Sequence, residues 1–199
     1  MRIGIIGKGR VGSALETGWT VAGHDVRAGG RTTTPPAHEI AAWADVIVLA
    51  VPYAAIPKVV TAIGPAAGKP VIDCTNPITR GSEGLGLAVG HTTSGAEELQ
   101  SLLPDAHVVK SLNQVGAGVI ADTSGFARPP VQFLAGNDAT AKAKVTSLLT
   151  DIGFEPLDAG PLVMSRLLEP FALVWINQAI AQGKGRDWAF GAMPRGAEA

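Results

Sequence analysis

The chain holds one cysteine, Cys74, and one tyrosine, Tyr53, and only 5% of its 199 residues are aromatic. A lone cysteine closes no internal disulfide, so a reducing compartment is expected, with the cytoplasm as the default. No run of about 18 apolar residues occurs, which argues against a membrane span. The opening Arg2-Ile3-Gly4-Ile5-Ile6 carries neither the long apolar stretch nor the small-residue cleavage site of a secretory leader. Charge of neither sign is in excess: 16 basic and 17 acidic residues leave a net charge of -1. With no basic stripe and no acidic tail, nucleic acid and anionic membrane surfaces are not expected partners. His24, His38, His91 and His107 share no ligand-like spacing with one another or with Cys74, so no metal site is expected.

Hydrophobic residues make up 46% of the chain and charged residues 17%, the balance of a globular protein able to bury a core. Short apolar runs alternate with helix-period segments. Strands are expected near residues 2–6, 24–28, 45–51, 70–73, 107–112, 131–135 and 154–157. Helices are expected near 10–22, 37–43, 55–63, 96–103, 115–121, 139–152 and 165–182. Residues 78–94 are glycine-rich without a clear period and read as a long loop. Pro170 should lie in the first turn of the last helix or kink it, and the tail from residue 183 should be irregular. This alternation predicts an α/β, doubly wound, mostly parallel sheet. About sixteen residues separate the second strand from the third. The edge strand that usually follows the second is therefore expected to be missing, with the Arg31 loop and a short helix covering that edge.

Gly7-Lys8-Gly9-Arg10-Val11-Gly12 is a G-x-G-x-x-G element closing the first strand–helix turn. In that position it reads as a dinucleotide-binding loop of the Rossmann type. Gly7 permits the tight turn, Gly9 lets the backbone approach a diphosphate, and Gly12 lets the helix pack against the strand. The free amides of the first helical turn then face the phosphates. At the end of the second strand, Gly29-Gly30-Arg31-Thr32-Thr33 has no acid to hold ribose hydroxyls. Arg31 instead offers a planar fork suited to a phosphate, and Thr32 can add a hydroxyl donor. NADP(H) is therefore the expected nucleotide.

Ligands of such sheets sit outside the carboxyl ends of the strands, here Val51-Pro52-Tyr53, Cys74-Thr75-Asn76-Pro77 and Ser111-Leu112-Asn113. Tyr53 could stack on a ring or cap the core. Asn76 and Asn113 could hold the nicotinamide amide or serve only the turns. Cys74 reads as a small buried residue. No acid–base pair stands out, and the catalytic residues are left open.

Met1-Arg2-Ile3-Gly4-Ile5-Ile6-Gly7, Gly30-Arg31 and Val51-Pro52 resemble the F420-dependent NADP oxidoreductases, which pass hydride between NADPH and a deazaflavin. So do Leu157-Asp158-Ala159-Gly160-Pro161-Leu162 and Ser165-Arg166-Leu167-Leu168-Glu169. The fold also resembles the reductase domain of the STEAP metalloreductases. Carried over by position, the resemblance implies diphosphate contacts at Gly7, Lys8, Gly9, Arg10, Val11 and Gly12. It implies adenosine-phosphate contacts at Gly30, Arg31 and Thr32, and nicotinamide contacts near Val51, Pro52, Tyr53, Asn76 and Pro77. Asn113 to Ala117 would form the far side of the cleft. Coenzyme F420 or a flavin is the implied second redox partner. The segment after Arg31 is shorter than in the deazaflavin enzymes, and the Asn113–Ala117 loop differs in composition.

The expected function is therefore NADP(H)-dependent hydride transfer to such a cofactor. The alternatives are reduction of a small carbonyl or imine, and an NADP(H)-sensing module without catalysis. Residues 1–162 would form the Rossmann domain. Residues 163–199 would add a helix and tail packed on it or on a dimer partner, a homodimer being suggested by the apolar Leu167, Leu168, Phe171, Val174, Trp175 and Ile180. If Arg31 holds the additional phosphate, Arg31→Ala weakens NADPH binding far more than NADH binding. Equal losses for the two nucleotides, measured by titration calorimetry, would contradict that assignment.

Overall fold

The computed structural model describes residues 1–30, 34–82 and 84–196. Seven strands form one sheet in the order β2-β1-β3-β4-β7-β8-β9. They are β1 (Arg2–Ile6), β2 (Asp25–Gly29), β3 (Val46–Leu49), β4 (Pro70–Asp73), β7 (His107–Lys110), β8 (Val131–Gly136) and β9 (Glu155–Gly160). The first five run parallel. β8 turns antiparallel to β7, and β9 runs parallel to β8. β3 is buried along its whole length, because both faces of a central parallel strand are covered by helices.

On one face lie α1 (Arg10–Val21), α5 (Ala117–Ala121) and α6 (Ala139–Asp151). Their core includes Leu15, Trp19, Ile120, Val145 and Leu148. Trp19 is wholly buried, and its indole N–H donates to the Leu148 carbonyl at 2.8 Å, tying α1 to α6. On the other face lie α2 (Ala37–Trp43), α3 (Ile56–Ile63) and α4 (Gly95–Leu102), over Ile40, Ile47, Leu49, Ile63 and Leu99.

β2 is the edge of the sheet, and no strand lies beyond it among the described residues. α2 takes over that flank. It comes so close to β1 that a Cβ on Gly4 would stand 2.8 Å from the Ala44 Cβ. The Arg27 guanidinium of β2 sits 4.1 Å over the Trp43 ring, a cation–π contact that ties the edge strand to α2. Arg31, Thr32 and Thr33, the first residues of this connection, lie outside the described residues.

Two expectations need correction. The stretch 78–94 is not all loop: β5 (Ile78–Gly81) and β6 (Gly84–Leu87) form an antiparallel hairpin. Its two four-residue strands carry few apolar side chains, and β6 rests on the last helix. Tertiary packing, which leaves little trace in so short a pattern, holds the hairpin in place. The last helix, α7 (Ser165–Ile176), gives way to a π-helical turn at Asn177–Ala181 instead of running unbroken to residue 182. Pro170 falls in the second turn of α7, the position from which the sequence reading expected it to bend the helix, and it denies the Arg166 carbonyl its usual donor.

The tail beyond residue 182 has no regular structure in the described residues, but it is docked. The Val131 amide donates to the Phe190 carbonyl at 2.8 Å. The Trp188 ring stacks on Trp175 at 5.7 Å, and Phe190 lies against Phe171 at 4.4 Å. On α7, Leu168 and Trp175 are buried, whereas Leu167 and Val174 are exposed, as is Ile180 just beyond it.

The turn from β1 into α1 is as tight as a backbone allows. Gly7 has φ 118°, and a Cβ there would lie 2.3 Å from the Ala50 carbonyl oxygen. A Cβ on Gly12 would lie 1.8 Å from the Gly7 carbonyl oxygen. Gly9 differs: a Cβ there meets nothing within 4 Å, and its φ of -85° suits any residue. Gly12→Ala is accordingly expected to destabilise the fold by about 3 kcal/mol through overpacking of backbone on backbone. Gly9→Ala should leave the melting temperature near that of the native chain while weakening nucleotide binding. Thermal melts of the two variants, with calorimetry on the second, test this contrast.

Candidate nucleotide-binding site

The site begins at the carboxyl ends of β1, β2 and β3. The Gly7 amide donates to the Gly29 carbonyl at 2.7 Å, pinning the glycine loop to the end of β2. α1 then starts just after Gly9 with no side-chain cap and no acid in its first turn. Its leading amides and the positive end of its dipole are left for an external anion. The space that a Cβ on Gly9 would fill is open, which fits a diphosphate lying against the backbone. Lys8 flanks the loop and reaches Glu16 at 3.5 Å, while Arg10 is exposed.

Beside the loop lies a cleft of about 600 Å³. Its apolar lining comes from Ile6, Pro36, Ala37, Val51, Pro52, Ala55, Val59 and Ala62, with Gly7 and Gly30 at the strand ends. The polar side chains on it are those of Lys8, His38 and Lys58, and no carboxylate lines it among the described residues. An apolar slot bordered by cations suits a planar base carrying phosphate groups. Gly7, Lys8, Gly30, Val51 and Pro52 thus meet here as the sequence suggested. Lys58, Val59 and His38 were not singled out. The small residues Ala55, Val59 and Ala62 recur on one side of α3 and its lead-in, a signal that could have pointed to a slot. No local pattern marks His38.

Tyr53 belongs elsewhere. Its hydroxyl donates to the Glu98 carboxylate in a short hydrogen bond, and its ring lies against Gly95 at the start of α4. Burial, and then the Glu98 carboxylate, push the phenol well above its ordinary range, so it stays protonated. Of its two open roles, the packed one is the one seen.

Asn76 and Asn113 face each other across the ends of β4 and β7. The Asn76 side-chain amide donates to the Asn113 carbonyl at 2.7 Å. The Asn113 amide donates to Asn76 Oδ1 at 3.0 Å and to the Leu168 carbonyl at 3.1 Å. Asn113 Oδ1 accepts from Gln114 at 3.0 Å. Leu112, just before, takes a left-handed φ of 59°, rare for a bulky side chain and a sign of a conformation held by its surroundings. It turns the chain so that Asn113 and Gln114 fold back into the protein, where both are buried. The Asn113 side chain is thereby saturated inside the protein and joins two strand ends to α7. Pro77 is buried beside it, and Ala117, the first residue of α5, is half-buried.

Beneath these loops lies a cluster that the sequence reading gave no role. Asp73 and Lys110 are register partners at the ends of β4 and β7, and Glu169 comes from α7. All three are buried. Lys110 Nζ lies 2.9 Å from Asp73 Oδ2 and 3.0 Å from Glu169 Oε1, and donates also to the Thr75 carbonyl. Burial alone lowers the ammonium's affinity for its proton, but the two carboxylates outweigh it and hold Lys110 above its ordinary value. A polar residue closing each of two adjacent apolar strands was the available signal.

Cys74 is pushed well above its ordinary range, first by burial and then by Asp73, so its thiol is not a nucleophile. His24 lies 3.0 Å from Asp151 and 3.1 Å from the N-terminal amine, a structural position. No group of three metal-ligating side chains occurs among the described residues, and none of the helices is long and apolar enough to cross a membrane.

The model of the family described as NADP oxidoreductase, coenzyme F420-dependent, matches residues 28–77. The chain is similar to rat metalloreductase STEAP3, with 27% identity over 184 residues, which are 86% of this chain and 36% of that protein. It thus spans about a third of the length of that curated relative. Among solved structures it is similar to a protein of Arthrobacter sp. FB24, provisionally described as an F420-dependent NADP-reductase. Identity there is 30% and the TM-score 0.82, over 92% of this chain and 96% of the other. A reductive aminase from Aspergillus terreus, solved with NADPH, shares the fold at 17% identity and a TM-score of 0.68, over 91% of this chain and 62% of that one. A glycine-loop Rossmann site on a mostly parallel sheet, together with identity at this level along nearly the whole of both chains, makes this chain a member of the F420-dependent NADP oxidoreductase family.

Proposed function

We propose that this protein transfers hydride between NADP(H) and a second ring-bearing redox cofactor, a deazaflavin such as coenzyme F420 or a flavin. The observation that carries the reading is the apolar, carboxylate-free cleft beside the open amides of α1. It offers a slot for the adenosine, an anion site for the diphosphate, and cations for further phosphate charge. In this reading Gly7, Lys8, Gly9, Arg10, Val11 and Gly12 hold the diphosphate. Gly30, with Arg31 and Thr32 beyond the described residues, meets the adenosine phosphate. Val51, Pro52, Asn76 and Pro77 lie on the nicotinamide side, with the backbone from Asn113 to Ala117 opposite them. Residues 1–162 act as the nucleotide-binding unit, and α7 with the docked tail supports the ends of β4 and β7.

When bound, the dihydronicotinamide supplies a hydride with its electron pair, and the acceptor ring takes it up with a proton from solvent. That chemistry asks the protein for alignment and exclusion of water and needs no strong acid or base. The surroundings agree: burial and then Glu98 hold the Tyr53 phenol protonated, and Asn76 and Asn113 are bonded to each other. Family membership makes the chain an oxidoreductase, which sets aside the reading as a sensor without catalysis.

Stopped-flow mixing of NADPH with the purified protein and deazaflavin, flavin or quinone acceptors is expected to show rapid nicotinamide oxidation with the deazaflavin or the flavin. Lys58→Ala is expected to raise the KM for NADPH severalfold with little change in kcat, since Lys58 lends the cleft a cation for phosphate charge and no group that hydride transfer needs. No oxidation with any acceptor removes the proposal.

A further inference from the structure

We propose that Asp73, Lys110 and Glu169 form a buried anion that favours the cationic, oxidised nicotinamide over the neutral, reduced one. The charge count follows from the hydrogen bonds. Asp73 Oδ1 accepts from the Thr75 amide at 2.9 Å, and Oδ2 accepts from Lys110 at 2.9 Å. Glu169 Oε2 accepts from the Gly95 amide at 2.9 Å, and Oε1 accepts from the Ala96 amide at 3.2 Å and lies 3.0 Å from Lys110. Every carboxylate oxygen thus faces an N–H. Lys110 points its three protons at Asp73, Glu169 and the Thr75 carbonyl. Two carboxylates against one ammonium leave one negative charge, offset only in part by the first amides of α4.

The position of that charge gives it a use. Lys110 grips the Thr75 carbonyl, one residue before Asn76. The Leu168 carbonyl, one residue before Glu169, accepts from Asn113. Gly95, whose amide binds Glu169, lies under the Tyr53 ring that follows Val51-Pro52. The three strand-end loops at the nicotinamide side of the proposed site therefore converge on this cluster. Burial away from water leaves its field poorly screened. Loss of hydride turns the neutral dihydronicotinamide into a cation, so a fixed negative charge beneath the loops that would hold that ring would stabilise the product form and assist NADPH oxidation. The three side chains touch no substrate; they act through the loops they hold and through their field.

This inference rests on the placement of the nicotinamide proposed above. The experiment measures the dissociation constants of NADP+ and NADPH separately, by calorimetry, for the native chain, Glu169→Gln, Asp73→Asn and the surface control Asp151→Asn. Glu169→Gln keeps the shape and removes the charge. It is expected to weaken NADP+ about three- to tenfold and NADPH less than about twofold, the range for one charge acting across a partly screened interior. Asp73→Asn should shift the ratio in the same direction, and the control should leave it unchanged. A purely structural role would weaken both nucleotides alike, and that result overturns the proposal. Should one of the two variants fail to fold, the other is read by the same ratio. Native protein that binds neither nucleotide would instead remove the functional reading itself.

Discussion

The contact between the Gly12 α-carbon and the Gly7 carbonyl governs the site. At that separation α1 begins directly at the end of β1, with its leading amides facing outward. Had either residue carried a side chain, the helix would stand back and its dipole would meet water instead of an anion. The cleft follows from the same approach, because Gly7 also lies against the Ala50 carbonyl and so draws the end of β3 alongside β1. Val51 and Pro52 then emerge as its wall.

A second constraint works beneath the other half of the sheet. Buried charge is costly unless it is paired and hydrogen-bonded. The Asp73–Lys110–Glu169 cluster meets that demand by recruiting the Thr75 carbonyl and the amides that open α4. Each demand draws in another element, until β4, β7, α4 and α7 are bound at one point. α7 is thus more than a cover on the sheet. Through Glu169 and the Leu168 carbonyl it holds the start of α4 and the Asn113 loop.

The truncated margin beyond β2 shows how an edge can be managed without another strand. α2 packs on the face of β1 and β2, and the Arg27–Trp43 contact ties the edge strand to that helix. The same shortening brings Pro36, Ala37 and His38 to the rim of the cleft, so the economy at the edge also shapes the binding surface.

Local pattern was enough wherever a residue's role depended on its immediate neighbours. The apolar runs of β1, β3 and β4, the amphipathic period of α1 and the spacing of Gly7, Gly9 and Gly12 are of this kind, because strand, helix and tight turn each impose a short-range rule on side-chain size and polarity. The absence of an acid after β2 was readable for the same reason. The hairpin at Ile78–Leu87, the π-helical turn after α7, the inward fold of Asn113 and the placing of Tyr53 against Gly95 and Glu98 came only with the tertiary structure. Each depends on a partner distant in the chain: β6 rests on α7, Asn113 bonds to Leu168, and Tyr53 meets Glu98. The buried cluster is the clearest case. Asp73, Lys110 and Glu169 are unremarkable as letters in a sequence, and it is their meeting away from water, where every charge must find a partner, that gives them a role.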